Sequence, residues 1–176
     1  TEQDREGPTK GFPPLPVIPA ARYTDPAFLA LEQKYLWQKS WLYALHADEL
    51  ASPGQYRLWR KSGSPIVIVR GKDHRIRAFY NSCRHRGAPL VESAQGETKG
   101  FFCRYHGWTY DLAGSLTAVR EKRDFPEIDF SCLGLVQVRC ETLGKWVFIN
   151  EDQNAAPLLD SLGPIPRHWE HLDINS

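Results

Sequence analysis

The chain has 176 residues, 41% hydrophobic and 12% aromatic, which suffices for one domain with a buried core. Its net charge of +1 gives no reason to expect nucleic acid or an anionic membrane as partner. No apolar run approaches the roughly 18 residues that span a bilayer, and the N-terminus lacks the apolar stretch of a secretory signal.

Methionine is absent even at position 1, so the chain is expected to be processed or trimmed from something longer. Residues 1–23 read as an extended lead-in, with Pro8, Pro13, Pro14, Pro16 and Pro19 opposing helix. Over 24–50 a helix and a first strand are expected. Thr24 or Asp25 caps the helix and Pro26 suits its first turn. Phe28, Leu31 and Tyr35 share a face, and the pattern runs to Gln38. "SWLYALHADEL" follows as strand and turn. From Gly54 the pattern is β: "QYRLWR", "PIVIVR" and "RIRAFYN", the last two joined by the turn chemistry of "GKDH". "GAPLVESAQGETKG" reads as loop. "GFFCRYHGWTYDLAGSLTAV" reads as three strands with turns between, and "LGLVQVRCET" with "KWVFINED" as a hairpin through Leu143-Gly144. Short strands at this spacing point to a small sandwich or barrel. The tail predicts a short helix with an interrupted continuation.

Four cysteines allow two disulfides, but the chain is too long to need staples and nothing suggests export. In a reducing cytoplasm, the compartment expected here, cysteines beside histidines are better read as metal ligands. The pairs are Cys83-x-His85 and Cys103-x-x-His106, with seventeen residues between them. Both lie where β segments meet loops. Two sulfurs and two nitrogens suit zinc or an iron–sulfur cluster. Structural zinc sites mostly pair Cys with Cys and His with His, whereas each box here mixes the two. A mixed box suits a [2Fe-2S] centre with unlike irons, Cys83 and Cys103 on one and His85 and His106 on the other, the Rieske arrangement. A zinc-stabilised binding module stays open as an alternative and predicts a colourless protein.

"CRHRG", "CRYHGWTYDLAGSL", "VIVRGKDHRIRAFYNSC", "GLVQVRCETLGKWVFINED" and "LLDSLGP" resemble the alpha (oxygenase) subunits of Rieske non-heme iron ring-hydroxylating oxygenases, from Tyr35 to Gly163. The resemblance implies a mainly β fold: a small Rieske-type antiparallel β sandwich or barrel with cluster-binding loops, preceded by a short N-terminal helix. It implies a Rieske [2Fe-2S] domain over 51–155, and over 156–176 the start of a linker to a catalytic domain that is absent. A mononuclear non-heme Fe(II) is expected only in that absent domain, so the chain alone should hold no catalytic residue and not turn over substrate. The implied partners are a ferredoxin or reductase donor, fed by NAD(P)H, and the catalytic domain of a neighbouring alpha subunit in a trimer. With dioxygen, the whole protein would hydroxylate an aromatic ring or perform a related oxidation such as demethylation. The alternative is a stand-alone Rieske ferredoxin, an electron carrier, although such carriers lack the helical lead-in and the "LLDSLGP" tail.

Arg84, Arg86 and Arg104 surround the expected ligands, and Arg86 is expected to act electrostatically or to anchor its loop. Gly87 and Gly107 are expected to let backbone N–H groups approach the sulfides, while Tyr105, Trp108 and Tyr110 line or pack the loops. Respiratory Rieske proteins carry a further cysteine in each box, where this chain has Ala88 and Tyr105. Their serine donor is replaced by Trp108. Fewer donors predict a potential toward the low end, roughly −150 mV, of the Rieske range. Cys132 and Cys140, without histidine neighbours, read as buried free thiols. His46, His74, His168 and His171 read as turn or linker residues.

Overall fold

The computed structural model describes residues 16–120, 122–124 and 127–169. Most of the expected lead-in therefore lies outside the described residues, as does His171. At its end the chain is not extended. Arg22 N donates to Pro19 O at 3.0 Å and closes a turn that continues as α1 (Ala21–Thr24). Asp25, not Thr24, caps α2 (Pro26–Tyr35): its carboxylate accepts from Ala27 N at 2.8 Å. The helix is three residues shorter at its C-terminal end than the sequence pattern suggests, giving way at Trp37–Lys39 to a 3-10 turn. No residue of α2 is buried, and Leu31 and Tyr35 are 53% and 65% exposed. The apolar spacing is genuine, but the helix does not bury that face.

The body is antiparallel β. Its strands are β1 (Leu42–His46), β2 (Gln55–Trp59), β3 (Ile66–Arg70), β4 (Ile76–Tyr80), β5 (Gln95–Glu97), β6 (Phe101–Phe102), β7 (Thr109–Tyr110), β8 (Leu116–Ala118), β9 (Gln137–Leu143) and β10 (Trp146–Asn150). Seven make one curled sheet in the order β1-β10-β9-β4-β3-β2-β5, and β6-β7-β8 make a small second sheet. β9 and β10 form the expected hairpin, turning at Gly144, whose φ is 57°. The expected loop after the first box contains β5, where Tyr56 pairs with Gly96. Its sequence, Gln-Gly-Glu, carries no strand signal. Glycine is needed there because a Cβ would lie 2.8 Å from the Tyr56 hydroxyl.

β3 explains the uninterrupted apolar run of "IVIV". Val67 and Val69 enter one core with Tyr56, Phe79, Phe101, Trp108 and Tyr110, while Ile66 and Ile68 enter a second with Leu45, Trp59, Val138, Val147 and Ile149. A strand covered on both faces loses the alternation of a half-buried one. The first core includes Cys83 and Cys103, so apolar packing itself brings the two boxes together. After β10 the chain is tied back. Trp41 Nε1 donates to Ala156 O at 2.9 Å, Leu158 N donates to Glu141 at 2.8 Å, and Arg139 donates to Ala155 O. α3 (Leu158–Leu162) and α4 (Ile165–His168) follow, separated by Gly163 and Pro164, the expected interrupted helix. Among the described residues, no helix is long and apolar enough to cross a membrane.

Candidate metal centre

Each box sits on a tight loop of one design. In the first, Cys83 N donates to Ala88 O at 2.8 Å and Gly87 N to Cys83 O at 2.8 Å. In the second, Cys103 N donates to Trp108 O at 2.8 Å and Gly107 N to Cys103 O at 2.9 Å. Gly87 and Gly107 share a φ of 73°, a left-handed backbone that side chains resist. The loops therefore superpose position by position. Cys83 matches Cys103, His85 matches Tyr105, and Arg86 matches His106. The unequal Cys–His spacing reflects the use of two neighbouring positions on one loop shape.

The loops place the sulfurs inside and the imidazoles outside. Cys83 and Cys103 are 3% and 2% exposed and belong to one core cluster, near enough for Cys103 to act on the Cys83 thiol. His85 and His106 meet edge to face with ring centres 4.7 Å apart, and Nδ1 of each is buried. Nδ1 of His106 meets no hydrogen-bond partner among the described residues. Like ligands thus pair with like: sulfur with sulfur and imidazole with imidazole. Among the described residues, no three His, Cys, Asp or Glu side chains converge as the holders of one ion.

Burial pushes the Cys83 thiol up, and the adjacent Cys103 adds to this against the lowering effect of the Tyr110 hydroxyl and the His85 backbone N–H. A cation beside the Cys83 thiol would offset that rise and favour the thiolate, the form that binds iron. His85 is pulled down by burial, then by His106 and Arg86, so its imidazole stays neutral, the form that binds a metal. The donor set and its protonation therefore fit the expected two-iron centre.

Trp108 lies flat against His85, with ring centres 4.9 Å apart and 8° between planes, and is 2% exposed. Phe130 meets it edge-on at 6.0 Å. Tyr105 stacks on His106 at 3.8 Å and is 60% exposed. Arg84, Arg86 and Arg104 are exposed at the same end of the domain. Tyr110 does more than the packing its sequence position suggested. Its hydroxyl accepts from Arg84 N at 3.0 Å and lies 3.3 Å from Cys83 Sγ. With a lone pair engaged by Arg84, the phenolic hydrogen is left for the sulfur. The available signal was alternation: Trp108, just before β7, and Tyr110, within it, are two apart and enter the same core.

The outlying candidates separate. Cys140 is largely buried, and burial raises its thiol to about 12. Cys132 is exposed, contrary to expectation, because its 3-10 turn lies at the surface and its thiol donates to Asp129 at 3.3 Å. His46 ends β1, and His74 lies in an exposed turn between β3 and β4 with φ 63°. His168 closes α4.

Two mixed loops that set sulfur beside sulfur and imidazole beside imidazole are the arrangement expected of an iron–sulfur domain of the Rieske class. The Rieske [2Fe-2S] domain model matches residues 40–133, more than half of the chain. The chain belongs to the Rieske [2Fe-2S] domain family. It is similar to the alpha subunit of benzene 1,2-dioxygenase from Pseudomonas putida, 37% identical over 151 residues that make up 85% of this chain and 34% of that one. It is similar also to the oxygenase subunit of carnitine monooxygenase from Escherichia coli strain K12, 40% identical over 82% of this chain and 39% of that one. Among solved structures, the apo form of a quaternary ammonium Rieske monooxygenase matches with a TM-score of 0.79 and 36% identity, over 86% of this chain and 44% of that one. The chain thus spans about a third to two fifths of the length of the relatives it matches.

Proposed function

We propose that Cys83 and Cys103 hold one iron of a [2Fe-2S] cluster, that His85 and His106 hold the other, and that the domain passes single electrons within a Rieske oxygenase. The observation that carries the assignment is the sorting of the four ligands into two like pairs. When bound, the group supplies a one-electron redox couple. Two neutral imidazoles in place of two thiolates lower its negative charge and raise its potential. The protein's own part is to keep the sulfur side dry behind Phe101, Trp108 and Tyr110 and to leave the imidazole side near the surface, where an electron has the shortest path.

Similarity to oxygenase subunits covers 151 residues, well beyond the matched 40–133, which supports an oxygenase subunit over a stand-alone carrier. In a protein built like these relatives, oxygen activation at a mononuclear iron and substrate binding belong to sequence outside the aligned stretch. The donor would be a ferredoxin or reductase drawing on NAD(P)H, and the acceptor the catalytic domain of a neighbouring subunit in a trimer. The reaction class is hydroxylation of an aromatic ring or oxidative demethylation, in the cytoplasm. Anaerobic reconstitution with iron and sulfide tests the core of this. Two irons, two acid-labile sulfides and one reducing equivalent per chain are expected, and all should be lost in Cys83→Ser and Cys103→Ser. A colourless chain that binds one zinc would overturn the proposal.

A further inference from the structure

The two loops have the same interior but differently closed bases. The second loop is closed by a ladder, with Phe101 opposite Tyr110 and Phe102 opposite Thr109 as β6 enters and β7 leaves. The first loop has no such ladder. It leaves β4, and the returning limb, Leu90 and Val91, joins no strand until β5 begins at Gln95. In place of a strand partner stands one side chain, that of Asn81, two residues before Cys83. Asn81 is 2% exposed, one of few buried polar residues among the described residues. Its Oδ1 accepts from Leu90 N and Val91 N, both at 3.0 Å, and its Nδ2 donates to Val91 O at 2.7 Å. Its own backbone N donates to Pro65 O at 2.8 Å, which fixes it to the root of β3. A carboxamide is a peptide group on a stalk, and here it makes the bonds that a neighbouring strand would make.

We propose that Asn81 is a positioning residue for the metal centre: it replaces the missing strand pairing at the base of the first loop and so fixes where Cys83 and His85 stand relative to their partners on the second. This rests on the reading of the two loops as holders of the cluster. The nearest substitutes do not do the same work. Alanine removes all three bonds and leaves two N–H groups and a carbonyl unpaired in a half-buried place. Aspartate keeps two acceptor contacts but sets an oxygen against Val91 O. Glutamine is a methylene too long for a site this tightly enclosed.

Wild-type and Asn81→Ala chains, both reconstituted with iron and sulfide, provide the test. Val147→Ala serves as a control for general destabilisation, since Val147 is fully buried in the other core. Well below the unfolding temperature, peptides spanning 88–93 of Asn81→Ala should exchange amide hydrogen on the order of a hundredfold faster than in wild type. Peptides spanning 100–110 should be unchanged. The variant should lose its cluster to a chelator on the order of tenfold faster, and its reduced-state paramagnetic resonance spectrum should broaden. Val147→Ala should keep the wild-type spectrum. A wild-type spectrum and cluster lifetime in Asn81→Ala overturn the proposal. If that variant does not fold, wild type alone decides: amides 90 and 91 that exchange as freely as an open loop overturn it, and protected ones support it. Failure of wild type to take up a two-iron, two-sulfide centre is seen first and sinks the functional reading instead.

Discussion

Replacing Tyr110 by phenylalanine removes one oxygen and leaves the ring in place. Tyr110 is fully buried, so the packing of Phe79, Phe101 and Leu112 around it is retained. What is lost is the hydroxyl 3.3 Å from Cys83 Sγ and the acceptor for Arg84 N at 3.0 Å. A donor to a charged sulfur stabilises the centre more once an added electron has made it more negative. Taking the net worth of one hydrogen bond, about 1 kcal/mol, as the difference between the two redox states, the potential falls by about 40 mV, because 59 mV corresponds to about 1.4 kcal/mol for one electron. The orphaned Arg84 N–H should also cost about 1–2 kcal/mol of stability. Potentiometric titration of wild type and Tyr110→Phe, followed by visible circular dichroism, measures the shift. An unchanged or higher potential with an intact spectrum would refute the claim that this hydroxyl donates to the sulfur. A measured fall in Tyr110→Phe would place the wild-type potential above what the replacement of a serine donor by Trp108 alone suggests.

Gly114→Ala should destabilise the domain by more than about 2 kcal/mol, read by urea unfolding, because φ there is 88° and a Cβ would lie 2.5 Å from the Phe79 ring. Leu158→Ala should cost about 2–4 kcal/mol, since that side chain is fully buried where α3 meets β9; a loss below about 0.5 kcal/mol would mean α3 is not docked. Burial, then the hydrogen bond to Glu151, raises the Tyr80 phenol to about 12. The folded state therefore holds that proton more tightly than the unfolded state does. Its contribution is complete below about pH 10 and fades as pH climbs toward 12. Tyr80→Phe should remove that part of the alkaline slope, and an unaltered slope would contradict the assignment.

The fold was legible where sequence pattern and burial agree. "PIVIVR" lies between two cores, the hairpin turns at Gly144, and the mixed boxes sit on loops as their glycines required. It was illegible where a partner across the sheet decides. β5 is a strand because β2 pairs with it, not because Gln-Gly-Glu favours one. The stripe Phe28, Leu31, Tyr35 signals an amphipathic helix, but a pattern on one element cannot say whether anything packs against it. At the metal centre the ligand types were written in the spacing. The pairing of sulfur with sulfur and imidazole with imidazole was suggested by the mixed boxes, but the Tyr110 and Asn81 contacts were not legible, since each joins residues distant in sequence or depends on how a loop returns.

The central claim is that two imidazoles share one iron and two thiolates the other. Reduced, iron-reconstituted chain labelled with 15N-histidine, studied by electron-nuclear double resonance, tests it most directly. The account predicts two strongly coupled histidine nitrogens, both lost together with the native spectrum in His85→Ser or His106→Ser. A centre with no histidine coupling, or with a single coupled nitrogen, would contradict it.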